Sequence, residues 1–98
     1  MRFAVLFEDD PAKADVRPRL MPEHLAFLAR NAGRILEAGP LSEAGGGPAG
    51  GLWIVEAESA EEAKSLVEED PFWPTGLRRS VRVLAWRRVF ADGRSQPG

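Results

Sequence analysis

Apolar and polar positions alternate over residues 1–7, with Phe3, Val5 and Phe7 on one side and Arg2, Ala4 and Leu6 on the other, until Glu8-Asp9-Asp10-Pro11 ends the run. A period of two predicts a strand, and the largely apolar character of both sides predicts that both become covered. At residue 21 the period changes: Met21, Leu25, Leu28 and Ala32 recur at spacings of three and four, Pro22 suits a first turn and Gly33 a stop. This predicts a helix over residues 21–32, with Pro18 in the lead-in or an earlier turn. Residues 34–38 are too few for another helix before Gly39-Pro40, so 35–41 reads as a short strand, with the proline favouring an edge.

The glycine-rich run 45–51 predicts a loop, because glycine loses the most entropy on ordering, and a shorter turn is expected to replace it with little loss of the fold. Nothing resembling Gly-Lys-Ser/Thr follows, and Leu52-Trp53-Ile54-Val55 reads as a strand, so the run does not read as a phosphate cradle. Ser59 with Glu62 three residues on forms a capping-box signature ahead of Ala63, Leu66 and Val67, which predicts a helix over 60–69. Asp70-Pro71 stops it, because the residue before proline is driven from helical angles. Residues 80–90 alternate Val81, Val83 and Ala85 against Arg82, Leu84 and Trp86, which predicts a long final strand, and residues 91–98 read as a mobile C-terminal tail.

The predicted order, βαββαβ, is the ferredoxin-like arrangement: an α+β fold with an antiparallel sheet and both helices on one face. Residues 1–90 make one domain, as the total of 98 residues allows. Two helices cover only one side of a sheet whose strands are apolar on both, so a second copy of the chain is expected on the other side, as a homodimer.

Composition narrows the partners. A net charge of −2, from 13 basic and 15 acidic residues, lacks the positive field that nucleic acid or an anionic membrane requires. No apolar run approaches a membrane span, and the first strand leads into acids with no signal-like segment, so a cytoplasmic protein is expected. The absence of cysteine removes disulfides, thiolate nucleophiles, iron–sulfur ligation and cysteine zinc sites, and a single histidine leaves only mixed carboxylate metal sites; no metal and no cofactor enter the expectation.

That histidine, His24, falls roughly 60° from the centre of the expected stripe at about 100° per residue, beside Phe27 and Asn31. It is either a half-buried packing residue or a general acid or base. Asp70 is its candidate partner, although aspartate before proline also serves as a turn former. Phe72 and Trp73 follow as large apolar groups suited to wall a pocket.

Taken in order, Glu23-His24-Leu25-Ala26-Phe27-Leu28, Gly33, Gly39-Pro40-Leu41, Leu52-Trp53-Ile54-Val55-Glu56-Ala57, Ser59-Ala60-Glu61-Glu62-Ala63, Asp70-Pro71-Phe72 and Arg82-Val83-Leu84-Ala85-Trp86 resemble the YCII-related (YciI-like) family over residues 1–90. The resemblance implies a ferredoxin-like subunit in a dimeric α+β barrel and a catalytic pair formed by His24 and Asp70. The family often carries tyrosine where Phe27 stands, so a hydroxyl-dependent role there is lost. One branch is similar to a cofactor-free dehydrochlorinase of a chlorinated hydroxyquinol.

Two functions follow as expectations. The first is a cofactor-independent lyase, isomerase or hydrolase for a small ring-bearing or anionic metabolite. His24 moves a proton, Asp70 orients it, and Phe27, Phe72, Trp73 and Arg82 line the substrate pocket, with Arg2 a further cation for an anionic substrate. The second is a small-ligand-binding or accessory dimer using the same pocket without turnover.

Overall fold

In the computed structural model, which describes residues 1–97, strands β1 (Arg2–Asp9), β2 (Ile35–Ser42), β3 (Pro48–Glu56) and β4 (Arg78–Ala85) form an antiparallel sheet in the order β2-β3-β1-β4. Helices α1 (Val16–Arg30) and α2 (Ala60–Glu69) complete the βαββαβ order. Cross-strand register places Phe3 beside Val55 and Val5 between Trp53 and Val83. These side chains pack with Phe27 of α1 and with Ala63, Leu66 and Val67 of α2 in one core, which puts both helices on one face. A smaller cluster of Val16, Phe72 and Leu77 closes the end of the fold where α1 begins and α2 has ended.

Helix α1 starts five residues earlier than the pattern predicts. Pro18 causes no break because it lies in the first turn, whose N–H groups have no intrahelical partner, and Pro22 sits on the exposed side. The buried stripe is Val16, His24 and Phe27, with Leu20 and Met21 partly buried, whereas Leu25 is 55% exposed. The expected stripe was therefore out of phase, and His24 lies at the centre of the buried face instead of its flank. A histidine whose polar tip is satisfied inside the fold behaves as a core residue, which a hydrophobicity pattern cannot register.

Helix α2 matches its predicted bounds, and Ser59 Oγ accepts from the Glu62 backbone N–H at 3.1 Å. The Glu62 carboxylate reaches back to the N–H of Glu58, one residue before the usual capping-box donor.

The glycine-rich segment divides in two. Residues 45–47 form the turn, while Gly50 and Gly51 belong to β3, contrary to the expected loop. Gly50 has φ of 118°, and a Cβ there would lie 1.8 Å from the carbonyl oxygen of Phe7. Only glycine allows this approach, so free replacement of the run holds at most for 45–47. Gly50→Ala is expected to destabilise the fold by about 2–3 kcal/mol, measured by urea unfolding, whereas Gly46→Ala, with open space around it, costs less.

Strand β4 ends at Ala85, short of residue 90. In place of the expected tail, β5 (Phe90–Ala91) and β6 (Arg94–Ser95) form a hairpin turned by Asp92 and Gly93, both at positive φ. Asp-Gly is a favoured sequence for such a turn. The end of the expected tail, Gly98, lies outside the described residues. No helix among the described residues is long and apolar enough to cross a membrane.

Candidate functional site

The site forms where α2 ends. Pro71 forces Asp70 out of helical angles, to φ −69° and ψ 135°. The Asp70 carboxylate then folds over its own turn, where Oδ1 accepts from the Phe72 N–H at 2.9 Å. The same carboxylate meets His24 from α1: Nδ1 is 3.0 Å from Oδ1 and 2.9 Å from Oδ2. Turn former and histidine partner, which the sequence offered as alternatives, are one residue doing both. The Phe72 ring stacks on the imidazole at 4.2 Å between centroids and 16° between planes. His24 is thereby fixed in orientation, one nitrogen committed to an acceptor and one face to an aromatic plane.

A second cation reaches Asp70. Nη2 of Arg78 lies 3.0 Å from Oδ2, with the Arg78 and Asp70 side chains 2% and 0% exposed. The contact is electrostatic more than directional, since Oδ2 has no aligned hydrogen-bond donor among the described residues. Arg78 also lies over the Phe7 ring at 4.0 Å and the Trp53 ring at 5.1 Å. Burial pushes the Asp70 carboxyl up, but the His24 hydrogen bond, the Arg78 charge and the Phe72 N–H outweigh it and hold the group below its ordinary value. Burial likewise draws the Arg78 guanidinium down, opposed by Asp70.

Arg17, one turn before Met21, makes a two-pronged ion pair with Asp9, Nε to Oδ2 at 2.7 Å and Nη2 to Oδ1 at 3.2 Å. It borders two cavities. The smaller, about 90 Å³, is lined by His24 and Arg78 with Phe7, Met21, Leu25 and Trp53 among its walls. The larger, about 480 Å³, lies among Glu8, Asp9, Asp10, Glu43 and Arg79 and does not include His24. Size favours the larger cavity as a container, but the oriented imidazole favours the smaller as the place of chemistry.

The structure thus brings His24, Asp70 and Phe72 together. It does not bring Phe27, Phe72, Trp73 or Arg82 to that cavity: Phe72 is fully buried and backs the imidazole without lining the cavity. Phe27 is a core residue packed near Trp53 at 6.0 Å, and Trp73 packs, half-buried, against the core cluster. Arg82 pairs with Leu6 in register and is exposed on the helix-free face, the opposite side of the sheet from His24. Besides Arg17, the cation lining the cavity is the buried Arg78, which strict alternation from Val81 places on the wrong side. A register shift between Glu8 and Asp9 sets Asp9 opposite Arg78, with Arg79 as the extra residue, and this bulge turns Arg78 inward beside Phe7. Among the described residues, no group of three or more His, Asp and Glu side chains stands close enough to hold a metal ion.

Residues 1–87 match the YCII-related domain. The chain belongs to the YCII-related family. Two relatives named Protein YciI, from Escherichia coli O6:H1 and Shigella flexneri, are each 30% identical to it, covering 92% of this chain and all of theirs. In three dimensions the chain is similar to a 5-chloro-2-hydroxyhydroquinone dehydrochlorinase from Burkholderia phenoliruptrix AC1100, solved with 2,5-dihydroxybenzoquinone. That likeness has a TM-score of 0.78 at 36% identity and covers 89% of this chain and 94% of the other. The family fold therefore includes an enzyme of nearly the same extent as this chain.

Proposed function

We propose that the protein is a cofactor-independent enzyme that moves a proton on a small hydroxylated ring, with His24 as the general base or acid and Asp70 as its positioning partner. The observation that carries this reading is the contact between His24 Nδ1 and a buried carboxylate beside a cavity. An ionised Asp70 accepts a hydrogen bond from Nδ1–H, which leaves the Nε2 lone pair as the ring's basic site. The stacked Phe72 prevents the ring from turning away. Loss of a proton from a ring hydroxyl or carbon together with a halide or other leaving group is balanced without an oxidant. One hydroxyl proton first moves to the ring carbon bearing the halide as that hydroxyl becomes a carbonyl; loss of a second hydroxyl proton then forms a second carbonyl, shifts the ring double bond and expels the halide with its bonding pair.

The dehydrochlorinase likeness suggests chlorinated hydroxyquinols as the first substrates to assay, by chloride release from the wild type beside His24→Gln. Release abolished in the variant supports the reading, and equal release in both contradicts it. A non-catalytic ligand binder is the second reading, favoured by the modest cavity, which is smaller than the roughly 300–1,000 Å³ usual for drug-sized ligands.

The helix-free face supports a homodimer. Leu6 and Leu52 are only partly buried there, and Leu41 and Leu84 are 36% and 37% exposed. Because these side chains are already mostly covered, burying the remainder stabilises by roughly 0.5–1 kcal/mol each, about a third of the value for full transfer from water. Sedimentation at micromolar concentration is expected to give a dimer, and Leu52→Asp a monomer. A wild-type monomer would remove the dimer from the account.

A further inference from the structure

We infer that Arg78 anchors an oxygen anion of the ligand, a carboxylate or an ionised ring hydroxyl, in the His24 cavity that it lines. This anchor deepens the proton-transfer reading by fixing the class of ligand, and it rests on that reading for the choice of cavity.

A guanidinium carries five N–H donors in a planar fork and stays charged in proteins. In Arg78 only Nη2 meets Asp70, and the faces of the fork are taken by aromatic rings, Phe7 at 4.0 Å and Phe72 at 5.4 Å. Nε and Nη1 are buried and have no hydrogen-bond partner among the described residues. A cation that served only to hold Asp70 would need one nitrogen, and an ammonium could supply it. Leaving the three N–H groups of these two nitrogens dry is costly unless something else accepts from them. Arg78 lines the same small cavity as His24, so a ligand entering there meets both.

Of the other cations, Arg17 also lines the cavity, but its Nε and Nη2 are already engaged. Arg82 is on the opposite face of the sheet. The remaining walls, including Phe7, Trp53, Met21 and Leu28, offer no side-chain acceptor, and an apolar surround strengthens an ion contact. About 90 Å³ admits a carboxylate or the hydroxyl edge of a ring, while Leu25, 55% exposed, provides an apolar lip for the rest of a flat molecule. The aromatic and aliphatic walls select the ring, and the unpartnered edge of the fork selects its charged oxygen.

Calorimetric titration of two matched pairs tests this: benzoate against benzamide, and 4-nitrophenolate against 4-nitroanisole. The first pair reads a carboxylate and the second a ring hydroxyl. In at least one pair the anion is expected to bind about tenfold or more tightly than its neutral partner, as a charge-assisted hydrogen bond implies. Asp70→Asn retains that preference because Arg78 remains, although it removes the positioning carboxylate of the proton-transfer pair. Asp70→Asn/Arg78→Gln removes both buried charges together, leaves neither unpaired, and brings the ratio near one. Should the double variant fail to fold, Arg78→Lys is measured instead, and its shorter point charge is expected to lower the ratio several-fold. A ratio near one in the wild type, no binding of any of the four compounds, or a preference unchanged by substituting Arg78 would each overturn the anchor. Because equilibrium binding is measured, an absence of turnover would defeat the proton-transfer reading and leave the anchor standing.

Discussion

Replacing His24 with glutamine is expected to lower turnover on any substrate that the protein processes by about 10²–10⁴, the usual contribution of general acid or base catalysis. Glutamine offers Asp70 an amide donor in place of the Nδ1 proton, so the buried carboxylate keeps a partner. It offers no group that exchanges a proton near neutrality. What it loses structurally is the 4.2 Å stack on Phe72, a contact worth about 0.5–1.5 kcal/mol in aromatic pairs, or a few degrees of Tm. The contrast between a large loss of rate and a small loss of stability is the signature of proton transfer. A purely structural histidine would reverse it. Turnover measured beside thermal unfolding of the same preparation decides between them.

Replacing Asp70 with alanine is expected to do the opposite and destabilise the fold by about 3–5 kcal/mol, as removal of one partner from a buried ion pair does. Arg78 would be left as a buried cation with aromatic contacts only, His24 would lose its acceptor, and the Phe72 N–H its turn. In a domain of this length that corresponds to a fall in Tm of roughly 15 °C or more. The pH dependence follows from the direction of the Asp70 shift. Its carboxyl is held below the ordinary value of 3.8, so the folded state binds that proton less readily than the unfolded chain. The stabilisation is complete above the unfolded value and is lost as pH falls through the folded one. In acid, below about pH 4, wild-type stability is expected to decline more steeply than that of Asp70→Asn. Parallel acid profiles for the two proteins would show that Asp70 does not carry this linkage.

The fold was legible because its signals are local and repeated. Alternation over β1, the Ser59 cap of α2 and the stop at Asp70-Pro71 depend on neighbouring residues alone, and all three stand where the sequence puts them. Asp70 and His24 were recognisable as a pair, but the burial of His24 was not. An imidazole counts as polar in any hydrophobic pattern, and Leu25, which counts as apolar, faces outward at the cavity instead. Arg78 was hidden by the bulge opposite Asp9, because one extra residue reverses the face of everything before it. Arg82 was chosen for its charge, and regular alternation carried it to the far face. Gly50 could not be separated from the loop glycines without knowing that Phe7 runs beside it. The hairpin at Asp92-Gly93 did carry a local signal, but flanks of two residues on each side are too short for a period to show.

His24 is the single histidine of the chain, so its imidazole nitrogens can be observed without assignment. Long-range ¹H–¹⁵N correlation spectra of uniformly ¹⁵N-labelled protein, with the ring in its neutral form, read directly which nitrogen holds the proton. A catalytic pair with Asp70 requires the Nδ1–H tautomer in the wild type, with Nε2 as the unprotonated nitrogen, and its loss or reversal in Asp70→Asn. An Nε2–H tautomer, or two nitrogens averaged as in a freely solvated histidine, would contradict the proton-transfer pair.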